Sequence, residues 1–261
     1  MTMQNNNHTF VVCAYKESSF LDKCIESLEN QTVKSKLLVY TSTPNEYIES
    51  ICKKYDLPLV TKEGGSIGKD WNNALSFVET DYATIAHQDD LYLPTYTESM
   101  MKLLENNPDG LIAYSNYREW KNGEVIPINT NLKIKNIMLK TISMFNKSNF
   151  WRKKVLGFGN PICCPAVTYN LKKLNGFQFD EKMKVSLDWL AWYDIGMKKG
   201  RFLYDSSELM VHRIHDESET TNTIKDNIRT QEDIMMFNKF WNKHMANFIM
   251  KFYVKSQDSN N

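Results

Sequence analysis

Short apolar runs separated by amphipathic segments fill the first hundred residues. FVVCAY (10–15), KLLVYT (36–41), LPLVT (57–61) and YATIAH (82–87) are continuous enough to be buried strands. Between them, apolar residues recur at helical spacing. Leu21, Cys24, Ile25 and Leu28 follow Ser18 and Ser19, Ile48, Ile51, Cys52 and Tyr55 follow Thr43-Pro44-Asn45-Glu46, and a third helix spans 68–79. Ser19 with Asp22, and Thr43 with Glu46, have the spacing of capping boxes, and Pro44 fits a first helical position. Pro94 opens a fourth helix with Thr97, Met100, Met101 and Leu104 inward. GLIAYSNYREW (110–120) then returns as a strand, and Lys121-Asn122-Gly123-Glu124 is a hairpin turn. The alternation predicts an α/β fold with a mostly parallel sheet and right-handed crossovers, whose ligands bind outside the carboxyl ends of the strands.

After residue 121 the alternation stops. Residues 118–154 hold nine Lys or Arg against Glu119 and Glu124, mixed with Ile, Met, Phe and Trp. Such a basic, aromatic segment, 133–154 above all, reads either as a solvated amphipathic helix over the sheet or as a peripheral contact with an anionic membrane. AVTYNLKKLNGFQFD (166–180) reads as strand, turn and loop, and DWLAWYDIGMKKG (188–200) as a helix. A last helix starts near residue 225 with Ile228, Ile234, Met235, Phe237, Phe240 and Trp241 as its apolar positions. The simplest parse is one domain, 1–222, with halves at about 8–117 and 118–222, and a C-terminal helical extension over 223–261.

Composition narrows the classes. The chain has 261 residues, 42% of them hydrophobic, enough for a core without staples, and a formal net charge of +1 gives no global field toward nucleic acid. Its five cysteines are scattered with no CxxC spacing, against a disulfide framework or a zinc site. The first residues lack the basic and apolar regions of a signal peptide, and no apolar run reaches membrane-spanning length. The expectation is a soluble, cytoplasmic protein.

Three places carry chemistry. In HQDD (87–90), two carboxylates adjoin at a strand end, with His87 two positions before Asp89. Adjacent carboxylates repel unless well solvated or shared with a cation, so the pair is either a solvated helix cap or a site for Mg²⁺ or Mn²⁺. Asp188 opens an aromatic helix, where it is either an N-cap or a carboxylate raised in pKa toward use as a general base. HRIHDESETT (212–221) follows the strand-like LMV and offers His215 as a metal ligand and Arg213 as a phosphate partner, or else is a solvated loop.

The order of these parts resembles the family 2 glycosyltransferases, inverting enzymes of the GT-A fold that use nucleotide-activated sugars. VVCAYKESSFLDKCIESLENQT resembles the family's opening strand and helix, with Ala14, Tyr15 and Glu17 at donor-binding positions and Lys16 in place of Asn. HQDDLYLP is similar to D-x-D-D-x-x-x-P, with His87 at the first Asp and Asp89 at the metal-binding one. LKKLNGFQFDEKMKVSLDWLAW resembles the segment ending in Glu-Asp-Trp, with Leu187 in place of the Glu and Asp188 at the catalytic base. HRIHDESETT is similar to the closing R-x-H-x-x-S. The chain departs from the family at YTSTPNE, where Thr41 or Ser42 replaces the acidic contact to the nucleotide base. It departs again at DWNNA, where Asn72 is kept, Trp71 stands for Arg, and Lys69 can supply the charge.

The resemblance implies a sugar transfer with inversion. It gives Asp188 as base, Mg²⁺ or Mn²⁺ at Asp89 and His215, and a donor, a UDP-sugar favoured, contacting also His87, Gln88, Asp90 and Arg213. The implied acceptor is a glycan or lipid-linked glycan of a bacterial surface or cell-wall polysaccharide, met at the inner membrane face. Two alternatives stay open: a catalytically degenerate nucleotide- or carbohydrate-binding protein of the same fold, and a sugar nucleotidyltransferase, which would carry a glycine-rich phosphate loop absent from VVCAYKESS.

Overall fold

The computed structural model describes residues 3–121, 123–214 and 228–258. Its strands are β1 (Met3–Ala14), β2 (Val33–Thr41), β3 (Leu59–Thr61), β4 (Tyr82–His87), β5 (Leu91–Tyr92), β6 (Gly110–Lys121), β7 (Glu124–Val125), β8 (Val167–Asn170) and β9 (Arg201–Ile214). They form one sheet in the order β3-β2-β1-β4-β8-β6-β9-β5, with β7 paired to β6 as the expected hairpin. The long ladders, β1 on β2, β1 on β4 and β6 on β9, are parallel. β8 enters antiparallel between β4 and β6. Four 3₁₀ and loop residues, Cys163 to Ala166, lead the chain into it from the carboxyl edge, so it runs back across the sheet.

The helices are α1 (Leu21–Glu29), α2 (Glu46–Lys54), α3 (Ile67–Ser76), α4 (Tyr96–Glu105), α5 (Thr130–Met144), α6 (Asn149–Leu156), α7 (Leu187–Met197), α8 (Ile228–Phe240) and α9 (Lys243–Asp258). Strand side chains alternate between the faces, and both faces are covered. Phe10, Val12, Val39 and Ala113 pack with α1, α2 and α4, while Val11, Tyr40, Ile112 and Tyr169 pack with α3, α6 and α7. Burial on both sides explains why the strands read as unbroken apolar runs. Met236 and Phe237 of α8, and Ala246 and Met250 of α9, join the second of these cores. Among the described residues, no helix is long and apolar enough to cross a membrane.

Local details differ from the sequence expectation where a nearer partner competes. α1 starts at Leu21 with no side-chain cap, and Asp22 pairs with Lys54 of α2 at 2.6 Å instead of closing a box with Ser19. α2 is capped by Asn45, which accepts from Ile48 N, because the Thr43 hydroxyl accepts from Lys16 N. Ser66 caps α3, which tightens and ends at Ser76, as the N–H groups of Phe77 and Val78 turn to carbonyls three residues back. α7 stops at Met197, short of Gly200, whose φ of +148° suits glycine and where an added Cβ would fall 2.6 Å from Asp109 O.

The basic segment is two helices, not one. Ser148 caps α6, and the Arg152 guanidinium is fully buried, donating to carbonyls of Asn146, Gly196, Lys198 and Gly200 around the end of α7. Lys135 is likewise committed, its ammonium on the Tyr117 hydroxyl at 3.1 Å.

Candidate active site

β1, β2 and β4 end together, with Ala14 opposite Thr41 and Cys13 opposite His87. Ala14 is buried; Tyr15 and Glu17 are exposed just beyond it. Gln88 joins two of these strand ends. Its Oε1 accepts from Tyr15 N at 2.9 Å and its Nε2 donates to Tyr15 O at 3.1 Å. Thr41 is fully buried, and its hydroxyl accepts from Thr43 N. Ser42 donates to Asp70 Oδ2 at 3.1 Å, and Tyr40 donates to Asp70 Oδ1 at 3.0 Å. A Cβ on Gly64 would fall 2.4 Å from Asp70 Oδ1, so the glycine lets this loop close on the pair. Asp70 therefore brings a carboxylate to the end of β2, where the strand itself has none. Nothing in the local pattern marks it, since it arrives from α3.

Two expected donor contacts, Asn72 and Lys69, come from α3. The amide of Asn72 is committed to Phe179, donating to its carbonyl at 3.0 Å and accepting from its N–H at 2.7 Å, and so fastens α3 to the following loop. Lys69 lies beside Gly65 in the first turn of α3, its backbone N–H held by Ser66.

The chain turns immediately after β4, with Asp90 N donating to His87 O. The turn gathers His87, Asp89 and Asp90, whose ligand atoms lie within 4.8 Å of one another. Asp90, expected among the donor contacts, is fully buried. Its Oδ1 accepts from His212 Nδ1 and Arg213 N, each at 3.0 Å, which locks the end of β9 to the turn. Its Oδ2 is buried without a hydrogen-bond partner, and so is His87 Nε2. Burial alone would lower the His212 pKa, but the attraction and hydrogen bond of Asp90 lift it to about 9, so this imidazole is cationic at neutral pH. Burial pushes His87 the other way, below the usual imidazole value, leaving a neutral ring with a lone pair to offer.

Two orphaned buried polar atoms beside a second carboxylate fit a hard divalent cation such as Mg²⁺ or Mn²⁺. Two of the departures from the resembled pattern meet here. Trp71 stacks on His87 with centroids 5.2 Å apart, so an aromatic pair occupies the two positions where Arg and Asp are usual. Arg213 lies over the Phe20 ring at 4.9 Å. His215, the other expected ligand, lies outside the described residues.

Asp188 is the second residue of α7, and Ser186 holds the N-cap position, so the cap reading of Asp188 is not realised. Its Oδ2 accepts from Asn160 Nδ2 and its Oδ1 from Trp189 N, each at 2.7 Å. Burial outweighs these bonds and raises its pKa to about 6. Cys163 lies within the field of both carboxylate centres, its thiol pushed well up by burial, by Asp90 and, more weakly, by Asp188. Sequence spacing pointed to both centres but missed His212, Asn160 and Asp70.

The chain is similar to known proteins over most of its length. The model of the glycosyl transferase family 2 matches residues 9–175. An uncharacterized glycosyltransferase of Rickettsia typhi is 23% identical over 231 residues, 86% of this chain and 69% of its own length. Another, of Methanocaldococcus jannaschii, is 25% identical over 82% of this chain and 73% of its own. Among solved structures, S. aureus TarS in complex with UDP-GlcNAc superposes with a TM-score of 0.65 at 14% identity, covering 95% of this chain and 71% of that one. The mannosyltransferase PcManGT of Pyrobaculum calidifontis, in complex with GDP-Man and Mn²⁺, gives 0.61 at 15% identity, covering 89% and 63%.

Proposed function

The chain belongs to glycosyl transferase family 2 and has its GT-A fold, and on that premise we propose that it transfers a sugar, with inversion, from a nucleotide-sugar donor to an acceptor hydroxyl. The observation that carries this reading is the cluster at the strand ends: His87, Asp89 and Asp90 within 4.8 Å, two of them holding orphaned buried atoms. These three residues would hold Mg²⁺ or Mn²⁺, which when bound neutralises charge developing on the leaving diphosphate. The nucleotide lies across the ends of β1 and β2, near Tyr15, Glu17, Thr41 and Ser42, with Asp70 as the nearby acidic group. Lys69 and Arg213 serve the donor's phosphates. UDP is the favoured nucleotide, supported by the TarS complexes with UDP and UDP-GlcNAc; the GDP-Man complex of the mannosyltransferase keeps GDP in the screen.

Asp188 takes the proton of the acceptor hydroxyl. As it does so, that oxygen bonds to the anomeric carbon, the bond from that carbon to the diphosphate oxygen breaks, and the nucleoside diphosphate leaves with the electron pair. One displacement from the opposite face inverts the configuration without a covalent sugar–enzyme intermediate. A carboxylate with a pKa near 6 is ionised at neutral pH yet more basic than an ordinary aspartate, and the bonds from Asn160 and Trp189 fix its direction.

The acceptor is a glycan or lipid-linked glycan of a surface or cell-wall polysaccharide, reached at the inner face of an anionic membrane. Support for the membrane contact is an aromatic ribbon on α6 and its flanks. Phe145 stacks on Trp151, Trp151 meets Phe150, and Lys154 lies over both Phe150 and Trp241. Phe150 is 62% exposed and Phe158 55%. A thermal-shift screen of UDP-, GDP- and dTDP-sugars with Mn²⁺ or with EDTA tests the donor assignment. A shift with one nucleotide class, abolished by EDTA, is the expected result. No shift with any of them would instead favour a degenerate fold that has lost its donor.

A further inference from the structure

Asp188 follows a segment with few local supports. Ser186, the N-cap of α7, makes no side-chain capping bond to its own helix. The support comes from α8, far along the chain. Glu232 Oε1 accepts from Lys184 N at 2.7 Å, and its Oε2 accepts from Val185 N at 2.9 Å and Ser186 N at 2.8 Å. Three consecutive backbone N–H groups thus close on one carboxylate, an arrangement that in proteins generally makes an anion-binding concavity. The neighbouring residue adds a second tie. Asp233 is 2% exposed, accepts from the Ser186 hydroxyl at 3.0 Å, and has Arg229 Nε at 3.9 Å. On the other side of the base, Trp189 donates its indole N–H to Leu156 O at 3.0 Å and packs on Phe237 of α8. The base is therefore gripped before and after by the same helix.

We infer that Glu232 and Asp233 are positioning residues, holding the 184–186 segment so that Asp188 enters α7 aimed at the acceptor hydroxyl. This rests on Asp188 being the base. Charge-assisted bonds from carboxylate to backbone are stronger than neutral ones, and three on one side chain fix a peptide segment in a way no flexible cap would. A displacement of about 1 Å at such a distance from the chemistry can cost about 10²-fold in turnover. The matched family region ends at residue 175, so the clamp lies wholly in the part of the chain beyond it.

The test uses the full chain with its donor and Mn²⁺, in three variants: Glu232→Ala, Ser186→Ala and Asp188→Asn. Glu232→Ala should lower kcat by about 10- to 100-fold while donor affinity, titrated with a UDP-sugar and Mn²⁺, stays within about twofold of wild type. The acid limb of its pH profile should move to lower pH as water reaches Asp188. Acetate should restore part of the loss, by filling the vacated N–H groups, where chloride at equal ionic strength does not. Ser186→Ala, which touches no backbone bond, should repeat the kcat loss on a smaller scale and keeps the test open if Glu232→Ala does not fold. Folded variants with wild-type kcat and pH profile overturn the clamp. So does a loss in which donor affinity falls in step with kcat, with no shift in the acid limb and no rescue. The Asp188→Asn arm separates the two ideas, because full activity there removes the base assignment whatever Glu232 does.

Discussion

Replacing Asp188 with asparagine should remove activity and strengthen the fold at once. A positioned base contributes about 10²–10⁴-fold, or roughly 3–5 kcal/mol of barrier, so turnover should fall by that factor while donor binding persists. The stability side follows from the raised pKa. Burial brings the carboxyl from 3.8 in the unfolded chain to about 6 in the folded one, so the folded state favours the protonated form. Its stabilising contribution is complete below the unfolded value and is lost as pH rises through about 6. By pH 8 the ionised carboxylate costs the fold about 3 kcal/mol, and at pH 5 about half of that. Asparagine removes this cost but sets an amide NH₂ against one of the two donors, Asn160 Nδ2 or Trp189 N, which takes back about 1 kcal/mol. The net gain at pH 8 is about 2 kcal/mol, or roughly 4–8 °C in Tm for a chain of this size. Denaturant melts of both proteins at pH 5 and pH 8, with a transfer assay at pH 8, measure all of it. Unchanged turnover would refute the base. Lost turnover with no gain at pH 8, or a gain equal at both pH values, would refute the idea that burial strains this carboxylate.

Asp89→Ala should abolish the part of donor binding that EDTA removes from wild type, and superimposable Mn²⁺ titrations of the two proteins would contradict its place as a ligand. His8 is fully buried between Ser35 and Thr84, and burial drops its pKa to about 3. A lowered histidine pKa means stability is retained above the unfolded value near 6.5 and lost as pH falls below it, by about 2 kcal/mol at pH 5. Melts of His8→Gln should lack that acid loss, and an equal slope in both proteins would assign it elsewhere. Arg152→Lys should cost about 3 kcal/mol or more, because one ammonium cannot meet the four carbonyls. The paired change Phe150→Ser with Trp151→Ser should leave Tm within about 2 °C, yet lower sedimentation with anionic vesicles about tenfold or more. Equal vesicle binding by that variant would remove the ribbon as the membrane face.

The sequence by itself determined most elements of the first 121 residues and the two carboxylate centres. Apolar runs at 10–15, 36–41 and 82–87 are strands because both of their faces are buried, and that burial shows directly as unbroken hydrophobicity. His87, Asp89 and Asp90 were legible because one short turn holds all three, and Asp188 because it begins a recognisable aromatic helix. Tertiary structure alone decided what those groups touch. Asp90 meets His212 across 122 positions, Ser42 meets Asp70 across 28, and Ser186 meets Asp233 across 47. Local pattern cannot encode such pairs. They depend on which strands neighbour in the sheet, with β9 laid along β6 and β8 reversed between β4 and β6, and on which helix end reaches a given loop. The caps failed for the same reason: Thr43 and Asp22 had the right spacing, but Lys16 N and Lys54, brought close only by folding, took their oxygens first. Hydrogen-bonding groups settle on the partner that burial leaves nearest, and the sequence order does not specify that partner.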